Sequence, residues 1–229
     1  PNEGLLEEVW TDRCPAGMVI VESDGVGADH CIDRYEASVV VLDDDGDVVS
    51  SWSPYHNPGE TRVAAVSLRG AVPHGYITLT TATAACEESG KYLCSESEWV
   101  RACRGPGFTV FPYGNKYRPG VCNDNRPVRP AVEYFGTEEA WVLGELDHPC
   151  LSQLPHSLRV TGQNSDCASE WGVMDMMGNL AEWTAGGAGA ARGGGYVIGA
   201  GAGCYYKAPP KSAATPPYIT GFRCCAQPL

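Results

Sequence analysis

Residues 172–184 read Gly172-Val173-Met174-Asp175-Met176-Met177-Gly178-Asn179-Leu180-Ala181-Glu182-Trp183-Thr184, and the reading of this stretch decides the fold. Asp175 and Glu182 are hard oxygen donors seven positions apart, with Gly178 between them to allow a tight bend. Calcium takes about six to eight oxygens, and the carbonyls of a bent segment supply several of them. Two carboxylates around a glycine turn can therefore close one loop on one ion. The competing reading is an ion-free loop that leads into a buried Trp183, and the spacing alone does not decide between them.

The flanking blocks add to it. Upstream stand Gly90-Lys91-Tyr92-Leu93-Cys94-Ser95-Glu96-Ser97-Glu98-Trp99, Ala102-Cys103-Arg104-Gly105 and Phe111-Pro112-Tyr113-Gly114-Asn115; downstream stand Arg192-Gly193-Gly194-Gly195-Tyr196 and Gly221-Phe222-Arg223-Cys224. In this order they resemble the formylglycine-generating enzyme family, the sulfatase-modifying factor domain, whose pattern runs G-K-R-L-P-T-E-x-E-W, A-x-R-G, Y-P-W-G-N, G-N-V-W-E-W, R-G-G-S-W and G-F-R-C. The resemblance extends from Cys14 to Cys225. It is strong over 86–115, 172–184 and 192–225, and weak over 40–75 and 130–165. It implies an α+β chain with the C-type-lectin-like fold of that family: few short helices and strands, and much irregular loop. The expected organisation is an acidic N-terminal arm, residues 1–13, and a single domain, residues 14–229.

Composition agrees with a folded domain outside the cytosol. Of the 229 residues 43% are hydrophobic, enough for a core, while 28 Gly and 17 Pro point to many turns. No apolar run is long enough to span a bilayer. A formal net charge of −12 argues against nucleic acid as a partner. Eleven cysteines spread along the chain, with no C-x-x-C pair, point to disulfides in an oxidising compartment rather than to structural zinc. The odd number leaves at least one cysteine free or intermolecular. The expectation is a processed protein that is secreted, cell-surface or periplasmic.

Along the chain, Cys14 and Cys31 bracket a hairpin that their disulfide would staple. Val39–Leu42 and Val48–Val49 flank Asp43-Asp44-Asp45-Gly46-Asp47 as a second hairpin with a solvated turn. Residues 50–75 read as loop. A short helix is expected over Thr81–Ser89, stopped by Gly90. A second runs from the Ser95-x-x-Glu98 capping box to Cys103. Residues 105–170 show little periodicity, and short strands close the chain.

The resemblance also assigns cysteines. Carried over, it implies Cys86–Cys224 and Cys103–Cys204, and leaves the pairing of Cys94, Cys122, Cys150, Cys167 and Cys225 open. The family's oxidase chemistry needs a further pair, five residues apart after R-G-G-S-W, which binds Cu(I) as soft thiolates. Here Ile198 stands at the first of these positions, the loop is shortened, and the second falls in the gap or at Gly203. Ala181 replaces a family tryptophan that shapes the active-site floor. The oxidase site is therefore read as absent, and copper is not expected.

For calcium, the resemblance implies the Asp175 and Glu182 side chains with the Gly178 and Leu180 carbonyls, and a second site at Asn123 with the Asp124 carbonyl. The five histidines show no H-x-x-x-H or H-E-x-x-H spacing, so no iron site is expected. The leading expectation is a calcium-stabilised, non-catalytic binding or scaffold module. Its ligand would be a protein, peptide or glycan, or it would sit in a larger extracellular assembly. Tyr196, Ile198, Cys204, Tyr205 and Tyr206 would line the cleft that holds substrate in the enzymes. The alternatives are a copper-dependent oxidase with displaced thiols at Cys204 and Cys225, and a variable ligand-display protein.

Overall fold

A computed structural model describes residues 2–23, 25–186, 190–197, 203–208 and 217–229. The chain opens with the antiparallel hairpin β1 (Met18–Val21) and β2 (His30–Asp33), stapled by Cys14–Cys31. A second hairpin, β3 (Ser38–Leu42) and β4 (Val48–Ser51), turns through an exposed acidic loop. The stretch read as loop contains a strand, β5 (Val63–Val66), which pairs with β3. Its Val-Ala-Ala-Val run is too short to stand out between prolines, and only the partner strand makes it β.

Helix α1 (Leu79–Glu88) starts two residues earlier than expected, because the Thr78 side chain caps it by accepting from Thr81 N. After β6 (Tyr92–Leu93), the Ser95/Glu98 capping box opens α2 (Glu96–Arg104). The long irregular stretch holds one six-residue helix, α3 (Pro130–Phe135), with Pro130 in its first turn and Gly136 ending it in the left-handed conformation. The C-terminal part adds β7 (Ala181–Trp183), β8 (Ala191–Arg192), β9 (Lys207–Ala208), β10 (Thr220–Phe222) and β11 (Cys224–Ala226).

These strands form three small sheets, in the orders β1-β2-β11-β6, β10-β7-β8-β9 and β4-β3-β5. Among the described strand pairs only β7–β10 is parallel. The chain changes sheet between β10 and β11, at Arg223. One core cluster joins α1, β3, β5 and β7 around Trp183 and Phe222. A second joins β1, β2 and α2 around Trp99.

Five disulfides cross-link this frame: Cys14–Cys31, Cys86–Cys224, Cys94–Cys225, Cys103–Cys204 and Cys122–Cys167. Three of them span 138, 131 and 101 residues. The chain-entropy model gives each of these loops roughly 4–5 kcal/mol. Such a set belongs to an oxidising environment. Residues 2–13 strap back onto the domain. Asn2 bonds to Ser38 and Val72, Glu7 accepts from Ser67 N and Lys91, and Trp10 lies under the Arg34 guanidinium. Among the described residues no helix is long and apolar enough to cross a membrane.

Candidate functional site

The 172–184 loop bends through four left-handed residues, Gly172, Asp175, Gly178 and Asn179. Gly178 is required there: a Cβ would lie 2.3 Å from the Asn123 carbonyl oxygen. Asn179 tolerates the conformation and uses its whole amide. Its Nδ2 donates to Glu36 Oε2 (2.6 Å) and Arg159 O (3.1 Å), and its Oδ1 accepts from Asn123 Nδ2 (2.9 Å) and Arg159 N (3.0 Å).

Beyond the bend, Glu182 is buried on β7 against Arg223. Arg223 Nε and Nη2 donate to its two carboxylate oxygens at 2.6 Å, and Trp99 Nε1 donates to Oε2 at 2.6 Å. The remaining Arg223 donors reach the carbonyls of Asp33 (2.9 Å), Arg34 (3.3 Å) and Met174 (3.0 Å). Burial opposes the Arg223 charge, but the Glu182 carboxylate outweighs it and holds the guanidinium above its ordinary value.

Two more buried carboxyls stand in this field. Glu36 accepts from Leu180 N (2.8 Å) and Asn179 Nδ2. Burial, then the charges of Asp175 and Glu182, push it well above the carboxylate range. Asp175 accepts from Gly162 N at 2.7 Å, and burial raises it to about 6. Glu36 was assigned no role from the sequence. The signal was present in the run Cys31-Ile32-Asp33-Arg34-Tyr35-Glu36, but its partners lie far along the chain.

Of the residues expected to bind calcium, Asp175, Gly178, Leu180 and Glu182 sit together, yet both Glu182 oxygens are engaged by Arg223 and Trp99. The second set differs. Asp124 is buried, and neither of its carboxylate oxygens has a hydrogen bond of good geometry. Burial raises it, and the neighbouring Tyr117 hydroxyl and Arg159 counter this only in part. Asp124 and Asn123 border a cavity of about 380 Å³ that His156 and Arg159 also line. Among the described residues no three His, Cys, Asp or Glu side chains converge as a ready-made metal cluster.

The expected cleft residues separate. Tyr196 is wholly buried, its hydroxyl 3.2 Å from Ser152 Oγ. Cys204 is buried in its bridge to Cys103. Tyr205 is exposed under the Arg104 guanidinium, and Tyr206 is half-buried. Ile198 lies outside the described residues. Cys225 is bonded to Cys94, so Cys204 and Cys225 present no thiol pair. Cys150 is the free cysteine, half-buried beside His148.

Two predictions follow from the buried charges. Arg223→Met leaves the buried Glu182 carboxylate without its counter-charge, with the Trp99 indole N–H as its remaining donor, takes the guanidinium from three carbonyls, and lowers unfolding free energy by about 3–5 kcal/mol. Adding Glu182→Gln restores part of that loss; urea midpoints at equal slope measure it, and strict additivity would count against the pair. Asp175 binds its proton more tightly folded than unfolded, so its contribution falls as pH rises from about 4 to about 6. In chelator-treated protein Asp175→Asn removes a decline on the order of 2–3 kcal/mol across that window, read from denaturation midpoints against pH.

With that geometry in hand, the profile of the sulfatase-modifying factor enzyme 1-like domain matches residues 50–227. No curated protein matches the sequence. Among solved structures the chain is similar to CarF, at 13% identity and TM-score 0.52 over 94% of this chain and 95% of that one. It is similar to the Major Tropism Determinant I1 variant at the same identity and TM-score, over 94% of this chain but 54% of that one, so it spans about half that protein's length. PvdO from Pseudomonas aeruginosa is matched at 15% identity and TM-score 0.49, over 92% of this chain and 90% of that one. The three small sheets, short helices and long loops are a C-type-lectin-like fold of the formylglycine-generating enzyme type, and the chain belongs to the sulfatase-modifying factor enzyme 1-like domain family.

Proposed function

We propose that this chain is a non-catalytic binding or scaffold module, held by disulfides and calcium, that works secreted, at a cell surface or in a periplasm. One observation carries the reading: Cys204 and Cys225, the cysteines a displaced oxidase site would need, are closed into bridges with Cys103 and Cys94. A Cu(I) site in this family needs two thiolates within reach of one ion. Cys150 alone does not make one. The disulfide-linked frame carries long surface loops, an arrangement suited to recognition. Exposed Tyr205, with Arg104 stacked on it, offers contact area at low entropic cost.

The calcium part of the proposal leans on Asp124. A buried carboxylate without a hydrogen bond of good geometry is costly unless a cation or a proton satisfies it. Asn123 and Asp124 would hold the ion, whose role is structural. Asp175, Gly178, Leu180 and Glu182 join a site only if Glu182 exchanges Arg223 for the ion, which strands a buried guanidinium.

Two measurements test the proposal. Saturating calcium added to chelator-treated protein raises the Tm by about 5–10 °C, and Asp124→Asn abolishes the shift while leaving the calcium-free Tm near that of the parent. A calcium response that survives Asp124→Asn counts against this ligand, and no response counts against the ion. Separately, a Cys-x-Pro-x-Arg peptide incubated with Cu(I) and O₂ stays unconverted by mass spectrometry while an active family enzyme converts it in parallel. Formylglycine in the product would return the chain to the oxidases.

A further inference from the structure

Residues 130–150 contain four aromatic or imidazole rings, five acids and neither Lys nor Arg. The inner face of this segment is firmly seated. Ala131, Val142 and Leu151 pack with Tyr76, Tyr196 and Tyr218. Tyr76 Oη donates to His148 O (3.0 Å) and accepts from Ser152 N (3.2 Å), and Tyr218 N donates to Leu146 O (2.7 Å). The outer face is therefore presented by a fixed backbone.

That outer face is apolar where it has no need to be. Trp141 is 51% exposed, Leu143 48% and Tyr134 41%. The rings touch in a chain: Trp141 to Phe135 at 5.1 Å, Phe135 to Tyr134 at 5.0 Å, Tyr134 to His148 at 4.5 Å. Contiguous exposed ring surface of this kind marks interaction sites. The same segment carries Glu138, Glu145 and Asp147, which make no salt bridge among the described residues. Glu133 and Glu139 are already engaged, by Arg126 and the Trp141 indole N–H.

We propose that this face binds an arginine-bearing segment of a partner protein, with a guanidinium on the exposed rings and the unpaired carboxylates as its counter-charge. Aromatic faces attract cations through the ring quadrupole, and a guanidinium stacks on them better than an ammonium. Charge complementarity selects this occupant. A second copy would bring the same acids and a net charge of −12 against this face. The inference stands whether or not the chain is catalytic.

The test uses a short synthetic peptide alternating Arg with Ser, against the same peptide with citrulline in place of Arg. Binding is read by fluorescence anisotropy, and site occupancy by the rate of maleimide labelling at Cys150, whose thiol adjoins the Tyr134 hydroxyl. The Arg peptide binds, weakens as salt rises, and slows Cys150 labelling. The citrulline peptide does not bind. Trp141→Ala weakens binding at least about tenfold, and Glu145→Gln weakens it several-fold with the Tm unchanged. The proposal is overturned if both peptides bind alike, if Trp141→Ala binds as well as the parent, if bound peptide leaves Cys150 labelling untouched, or if light scattering shows a dimer that Trp141→Ala dissolves.

Discussion

A single fully buried guanidinium, Arg223, fixes how the pieces of this domain meet. It sits where the chain leaves β10 for β11 and so passes from one sheet to another. From there it reaches Glu182 on β7, the carbonyls at the end of β2, and the loop before Gly178. A buried ion pair seldom adds much net stability, because desolvation offsets the attraction. Its value is geometric: five donors in a rigid fork are satisfied only when β2, β7 and the 172–184 loop are all in register. The next two residues extend the knot, with Cys224 bridged to α1 and Cys225 to the residue after β6.

This arrangement also explains the unusual carboxyls around it. Glu182 takes the Arg223 ion pair, so Glu36 and Asp175 are raised first by burial, with Asp175 and Glu182 adding to the rise of Glu36 and Glu182 to that of Asp175, and Arg223 only partly opposing it. They are tolerated because backbone and amide N–H groups from Leu180, Asn179 and Gly162 hold them. Asp124 has no such amide donors of good geometry, only the neighbouring Tyr117 hydroxyl, and that difference, rather than sequence spacing, sets it apart from the other two.

Local signals in the sequence located much of the frame. The Ser95/Glu98 capping box, the hairpin around Asp43–Asp47 and the left-handed Gly178 are each decided within a few residues, so they are visible without the fold. What was hidden depends on distant partners. β5 is a strand because β3 lies beside it, and Glu36 matters because Asn179 and Leu180 arrive from more than a hundred residues away. The motif glutamate Glu182 was legible as a site residue, but its partner was not, since G-F-R-C is as consistent with a core arginine as with a surface one. Tyr196 followed the same pattern: its position in a motif suggested a cleft, while its contacts with Ser152 turn it into the core.

The distribution of cysteines ties these observations to function. An oxidase of this family keeps two thiols free at a substrate cleft and uses its other cysteines to hold the frame. In this chain ten of eleven cysteines hold the frame, and the eleventh, Cys150, lies in the acidic segment where the family resemblance is weakest. Cross-links are thus concentrated around Arg223 and the bridges, while exposed aromatic surface lies at 130–150 and at Phe108 and Tyr205, with Trp10 in the N-terminal arm. Closed thiols in the scaffold and rings left outside are what the proposed contact role would require, because ring surface in water is a cost that a partner removes.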